Sequence, residues 1–240
     1  MISEGLKGAI ETLIETGENK YIKEELYGST YVNKDLRRIN EPVASPLETT
    51  TLTSIVNYIK ENVDAVQGSN VIVHVESYGR VSVKKELNLD KKRECVMVAE
   101  ALIPNVVTDR FMETDRFNIM LQSSFVENDD RAALLKASAN IQEKDVKNVC
   151  DDGISQSAVF KTGVATVEEM LIPNPVILAP YRTFPEIRQP ESKFIFRMES
   201  GPKAALFEAD GGAWRNVAME SIKEWLKARL EGLDNVKIIS

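Results

Sequence analysis

The chain has 240 residues, 43% of them hydrophobic and 28% charged, an ordinary balance for a folded domain that needs neither metal nor disulfide to bury its core. A formal charge of −7 and a pI near 5.1 argue against sequence-independent DNA binding by a whole face, because an acidic surface repels the phosphate backbone, and leave room only for a local basic pocket. No apolar run approaches the ~20 residues of a membrane span.

At the N-terminus Ile2, Leu6, Ala9, Ile10, Leu13 and Ile14 recur at helical spacing, with Gly17 as the expected stop. So short a helix is marginal alone, and its apolar stripe must dock, either on its own domain or between subunits. The start, Met1 to Gly17, is acidic and reads as no signal peptide, so a cytoplasmic location is expected. Residues 18–50 are polar, carry Pro42 and Pro46, and read as a connector or extended arm. The chain is accordingly divided into 1–45, helix and arm, and 46–240, a core domain. Thr49, Thr50 or Thr51 caps a second helix whose stripe is Leu52, Ile55, Val56, Ile59 and Val63, followed by Gly68.

Strand signals follow. Val71, Val73 and Val75 alternate with Ile72, His74 and Glu76, Tyr78-Gly79 breaks the run, and Val81 and Val83 resume it. Glu94 to Leu102 reads as a third strand ended by Pro104, giving an antiparallel meander with one solvated face. Residues 114–140 turn helical, with Phe117, Met120, Leu121 and Phe125 on one stripe, and Asp129 capping a turn that carries Ala133, Leu134 and Ala137. Asp151 to Gly163 returns to β, opened by the Asp152-Gly153 turn signal. Pro173, Pro175, Pro180 and Pro185 exclude a helix and disfavour a central strand.

Phe194, Phe196 and Met198 then alternate with Lys193, Ile195, Arg197 and Glu199, and Ser200-Gly201-Pro202 turns the chain into Ala204–Ala209. Centring the turn on Gly201 sets Phe196 opposite Leu206 and Ile195 opposite Phe207. Both faces of that hairpin are substantially apolar, which places it inside a sheet. Asp210-Gly211-Gly212 leads into a long amphipathic helix carrying Trp214, Val217, Ala218, Ile222, Trp225, Leu226 and Leu230, with Gly232 at its exit. Val236–Ile239 is a short strand closing a sheet edge. The expected class is α+β, mainly antiparallel sheet with flanking helices.

Bond-making chemistry finds few carriers. The sole histidine, His74, lies inside a strand pattern without a G-x-S-x-G elbow. Cys95 and Cys150 are far apart, belong to no C-x-x-C pair, and read as free thiols of a reducing cytosol. Walker A and G-x-G-x-x-G loops are absent, and no cofactor is expected. Asp151, Asp152, Glu208 and Asp210 would together offer oxygen ligands to Mg²⁺, although Asp-Gly pairs also form ordinary turns. Tyr181, Arg182 and Phe184, with Arg188, Gln189, Arg197 and Arg215 nearby, are candidates for a pocket holding an anionic small molecule, since a guanidinium set among rings pairs with phosphate or carboxylate and stacks on bases. The bland alternative is that these arginines neutralise Glu186, Glu191, Glu208 and Asp210.

Asp151-Asp152-Gly153-Ile154-Ser155-Gln156, Pro180-Tyr181-Arg182-Thr183-Phe184, Gln189-Pro190-Glu191-Ser192 with Phe194 and Arg197, and Phe207-Glu208-Ala209-Asp210-Gly211-Gly212-Ala213-Trp214 resemble the YfdQ-type family of phage and prophage proteins. The resemblance is specific over the last 90 residues, fainter over roughly 45–150, and does not reach residues 1–40. It implies phage origin and expression inside a bacterial host, and it assigns no activity and no site residues. The expectation is a non-enzymatic accessory protein of anti-defence type, binding a host defence protein or sequestering an anionic nucleotide signal, and forming homo-oligomers. The alternatives are an accessory factor in phage DNA replication or recombination, a purely structural assembly protein, and, last, a Mg²⁺-dependent phosphoryl enzyme.

Overall fold

The computed structural model describes residues 4–18, 23–26, 29–32, 38–39, 43–139, 149–151, 156–162, 166–171, 174–199 and 203–240. Among the expectations above, Met1, Ile2, Pro42, Asp152 to Ser155, Gly163, Pro173 and the turn Ser200-Gly201-Pro202 lie outside the described residues. The molecule is α+β and divides into two compact units, 1–44 and 45–240.

In the first unit, helix α1 (Glu4–Glu18) runs through Gly17 and does not stop there. Its stripe stands open, with Leu6 54%, Ile10 42%, Leu13 71% and Ile14 51% exposed. The expected arm is a three-stranded antiparallel sheet, order β1-β2-β3, from β1 (Lys23–Leu26), β2 (Ser29–Val32) and β3 (Arg38–Ile39). Strands this short and polar lack the alternating apolar pattern that marks a half-buried strand, which is why the sequence concealed them.

The second unit contains three sheets, two of which pack on separate cores among the described residues. The five-stranded sheet has the order β15-β5-β6-β7-β4. Its centre is the expected antiparallel meander of β5 (Val71–Ser77), β6 (Arg80–Leu87) and β7 (Arg93–Glu100). Both outer strands, β4 (Leu47–Thr49) and β15 (Val236–Ile239), pair in parallel, so this sheet is mixed. Neither is joined to its neighbour by a hairpin, and a long connection leaves strand direction free. Helix α2 (Leu52–Lys60) packs beneath, capped by Thr51, whose hydroxyl accepts from the Ser54 N–H. Val63 does not extend its stripe. The chain turns left-handed at Asn62, Asp64 and Ala65, leaving Val63 39% exposed, and buries Val66 instead. Val71, Val73, Val75, Val81 and Val83 face α2 and the C-terminal helix in the first core.

The four-stranded sheet has the order β12-β13-β14-β8, from β8 (Met112–Glu113), β12 (Val176–Leu178), β13 (Ser192–Glu199) and β14 (Lys203–Glu208). The hairpin β13–β14 is interior, and its register sets Phe196 opposite Leu206 and Ile195 opposite Phe207, as the turn position required. One face carries Phe194, Phe196 and Met198 into the second core, while Ile195 and Arg197 on the other stay half-buried. The proline-flanked β12 takes an edge. Helices α3 (Thr114–Ser124) and α4 (Asp129–Ala139) cover the buried face with Phe117, Leu121 and Leu134. Phe125 lies just past the end of α3, fully buried. Asn128, one residue before the expected Asp129, caps α4 by accepting from the Arg131 N–H at 2.8 Å.

A third sheet, order β11-β10-β9, comprises β9 (Val149–Asp151), β10 (Gln156–Thr162) and β11 (Thr166–Leu171), the last unanticipated. Helix α5 (Trp214–Arg229) enters over Gly211 and Gly212, whose φ values of +63° and +78° are glycine territory. Its buried row steps by four, through Trp214, Ala218, Ile222 and Leu226, and Leu230 continues it just past the helix. Val217 lies off that row and is 56% exposed, which corrects the wider apolar face read from the sequence.

Candidate functional site

The segment from Ala179 to Glu191 leaves the four-stranded sheet and crosses to the first core. Its inward side chains alternate in destination. Phe184 and Ile187 enter the first core. Arg182, 6% exposed, and Gln189, 7% exposed, are buried polar residues between. Gln189 braces the crossing from within: its Oε1 accepts from the N–H of Arg182 at 2.9 Å and of Thr183 at 3.2 Å, and its Nε2 donates to Phe184 O at 3.1 Å. Its amide is therefore spent on the loop itself.

Arg182 is the centre of a polar knot. Nη1 donates to Glu208 Oε1 at 2.8 Å. Nη2 donates to Pro190 O at 3.0 Å and to Ser192 Oγ. Ser192 in turn donates to Asp210 Oδ2 at 2.5 Å. The guanidinium carbon lies 3.9 Å from the centre of the Trp214 ring. Tyr78, at the β5–β6 turn, meets the same indole edge-on with ring centres 4.7 Å apart. Burial pushes the Arg182 pKa down to about 10, against the opposing pull of Glu208 and Asp210 and with some help from nearby Arg215. Burial also acts to raise Asp210, but the bonds from Ser192 and the Gly212 N–H, with the Arg182 charge, hold it below the ordinary carboxylate value.

A cavity of about 260 Å³ opens beside this knot, lined by Tyr78, Pro104, Asn105, Arg182, Glu208 and Trp214 among others. Two side-chain nitrogens of its lining residues, Arg182 Nε and Trp214 Nε1, have no acceptor, and both are buried with almost no accessible surface. A buried donor left unpaired costs about 1–3 kcal/mol. Two on adjacent, stacked side chains mark a place where the fold alone does not complete its hydrogen bonding.

The seven residues expected to form one anion pocket do not gather. Arg182 lines this cavity. Tyr181, Arg188 and Gln189 line a different one of about 560 Å³, together with Glu127 and Glu191. Phe184 is core. Arg188 is exposed and bonds Glu191 at 2.5 Å. Arg197 lies on the partly open face of β13, donating to Phe196 O at 3.1 Å. Arg215 stands 4.9 Å from the Trp214 ring. The converging-arginine pocket is thus corrected: successive residues of an extended segment point to opposite sides, and the innermost arginine is neutralised by carboxylates.

The proposed oxygen ligands fare similarly. Glu208 accepts from Arg182, and Asp210 from Ser192 and the Gly212 N–H at 2.9 Å. Asp151 ends β9 and Asp152 lies outside the described residues. Among the described residues no group of three or more His, Cys, Asp or Glu side chains is placed to hold a metal ion. His74 sits on β5, 3.4 Å from Lys84 Nζ and 3.8 Å from Glu76, and is not part of the cavity. Cys95 is a half-buried free thiol. No helix of the described residues is long and apolar enough to cross a membrane.

Sequence reading missed Tyr78, Ser192 and Trp214 as site residues. Tyr78 looked like a strand breaker and Trp214 like one more apolar helix position. The usable signal was a tryptophan one residue inside a helix entry, directly followed by arginine. No family model, no curated protein and no solved structure matches this chain.

Proposed function

We propose that this chain is a phage-encoded, non-enzymatic accessory protein that serves anti-defence by taking a small signalling molecule of the nucleotide class out of solution. The observation that supports it is the cavity of about 260 Å³ whose wall combines Tyr78, Pro104 and Trp214 with the polar side chains of Asn105, Arg182 and Glu208. The stretches on which the phage-family resemblance rests contribute Pro180, Arg182, Phe194, Glu208 and Trp214 to that wall. Apolar and aromatic walls with a few converging polar groups are the usual make-up of a small-molecule site. Purified protein incubated with a bacterial nucleotide extract, washed, and heated to release bound material would yield a discrete ligand by mass spectrometry at near-stoichiometric amount. Recovery of nothing above a control protein refutes sequestration.

A second reading, self-assembly, is favoured by the open stripe of α1, where Leu6, Ile10, Leu13 and Ile14 are all exposed. Static light scattering on the full chain would then report an oligomer that Leu13→Asp dissociates. A monomeric wild type removes this reading and leaves the ligand reading intact.

A further inference from the structure

We infer that the cavity of about 560 Å³ beside the crossing segment binds an organic cation, an ammonium or guanidinium carried on an aliphatic stem. This goes beyond the nucleotide reading above, because the two cavities share no lining residue.

The frame of this cavity is fixed before anything enters it. Residues 124–126 and 179–181 meet in an antiparallel bridge of Phe125 with Pro180. There the Val126 N–H donates to Ala179 O at 2.9 Å and the Tyr181 N–H to Ser124 O at 2.8 Å. Glu127 therefore stands between two anchored residues, since Asn128 accepts from the Arg131 N–H and donates to Ile177 O, both at 2.8 Å. The stretch from Pro185 to Gln189 is braced from within by the Gln189 amide. A ligand that meets walls held in this way spends little on ordering them.

The polar groups of the lining decide what suits it. The amides of Asn128 and Gln189 have both ends bonded to the fold. Arg188 answers Glu191 at 2.5 Å, so that pair brings no net charge. Glu127 is exposed and has no ion-pair or hydrogen-bond partner among the described residues, which leaves one negative charge over. The rest of the lining is apolar or aromatic. Ala179 and Ile187 are buried, while Val126, Pro185 and Tyr181 lie nearer solvent. A carboxylate beside apolar surface suits a stem of methylenes that packs while its charged head stays wet. A tyrosine ring in the same wall attracts a cation to its face. An oxyanion would meet Glu127 and Glu191, and an uncharged molecule would leave Glu127 unanswered. The volume lies within the roughly 300–1,000 Å³ usual for small-molecule sites.

The test is isothermal titration at low salt with cadaverine, agmatine and the N-acetyl methylamides of lysine and arginine, against 1-pentanol and glutarate. At least one cation is expected to bind, and neither 1-pentanol nor glutarate. Binding by cadaverine or agmatine alone supports the inference with a diffusible amine as ligand. Binding by the blocked amino acids supports it with a basic side chain of a partner protein as ligand. Glu127→Gln is expected to weaken the bound cation about fivefold, and Tyr181→Leu about threefold. Glu127 is exposed and unbonded, so its variant keeps the fold and carries the test if Tyr181→Leu does not. Glu224→Gln removes the same charge from α5, outside the lining, and should change nothing. Equal losses from Glu127→Gln and Glu224→Gln would mean general attraction to an acidic surface and overturn the site. Binding of glutarate or 1-pentanol as tight as that of the cations, or no binding by any cation, overturns the ligand class. None of these results bears on the nucleotide reading, which concerns the other cavity.

Discussion

Replacing Glu208 by Gln takes the nearest counter-charge from a guanidinium whose side chain is only 8% exposed. Removing one partner of a fully buried pair costs about 3–5 kcal/mol, most of it the penalty of stranding the other charge. Here Glu208 is itself 26% exposed and Asp210 remains close, so the expected loss is about 2 kcal/mol. Arg182→Met removes the charge that needs matching, and Glu208, being nearer solvent, tolerates its loss better than the reverse. In a double-mutant cycle, urea denaturation of wild type, Arg182→Met, Glu208→Gln and the double variant should give a coupling of about 2 kcal/mol. Coupling below about 0.5 kcal/mol would mean that Arg182 is not held by Glu208. The account of Arg182 as a guanidinium neutralised by the Glu208 carboxylate would then fail.

Three further outcomes follow from the geometry. Burial acts to raise Glu76, but bonds from Lys84 at 2.7 Å, Ser82 at 2.6 Å and Arg80 at 3.1 Å outweigh it and lower its pKa from 4.5 to about 2. A depressed carboxylate stabilises fully above its unfolded value and loses that contribution as pH falls toward about 2, so Glu76→Gln should cost about 1 kcal/mol at pH 7 after screening on this half-open sheet face. Urea titrations should show that difference closing between pH 4.5 and 2, and a gap independent of pH would contradict the assignment. Asn128→Ala, which loses the α4 cap and a 2.8 Å bond to Ile177 O, should lower stability by about 1–2 kcal/mol in thermal melts, against a few tenths for Asp129→Ala; equal effects would return the cap to Asp129. Burial pushes the Cys95 thiol up, with Lys84 opposing, so in a Cys150→Ser background it should react with a disulfide reagent at pH 7 more slowly than a free small thiol; an equal or faster rate would refute this.

The stretches legible in the sequence are those where spacing carries the physics. The alternation Phe194, Phe196, Met198 and the Gly201 turn determined strand, partner and register together, because a one-residue slip would turn every one of those side chains over. The valines of β5 and β6, the Thr51 cap and the four-step row from Trp214 to Leu226 were readable for the same reason. Periodicity is silent about direction and about distance. The parallel pairing of β4 and β15, and the polar strands β1 to β3, follow from chain paths that no local pattern records. The site is of this second kind. Tyr78, Arg182, Ser192, Glu208 and Trp214 span well over half the chain. Only the packing of two sheets around one crossing segment decides that the arginine turns inward to carboxylates and an indole, while its neighbour Tyr181 turns outward. Composition named the residues; their hydrogen-bond commitments exist only in three dimensions, because the Nη1 and Nη2 groups of Arg182 bond partners that different elements bring, Glu208 on β14 and Ser192 on β13.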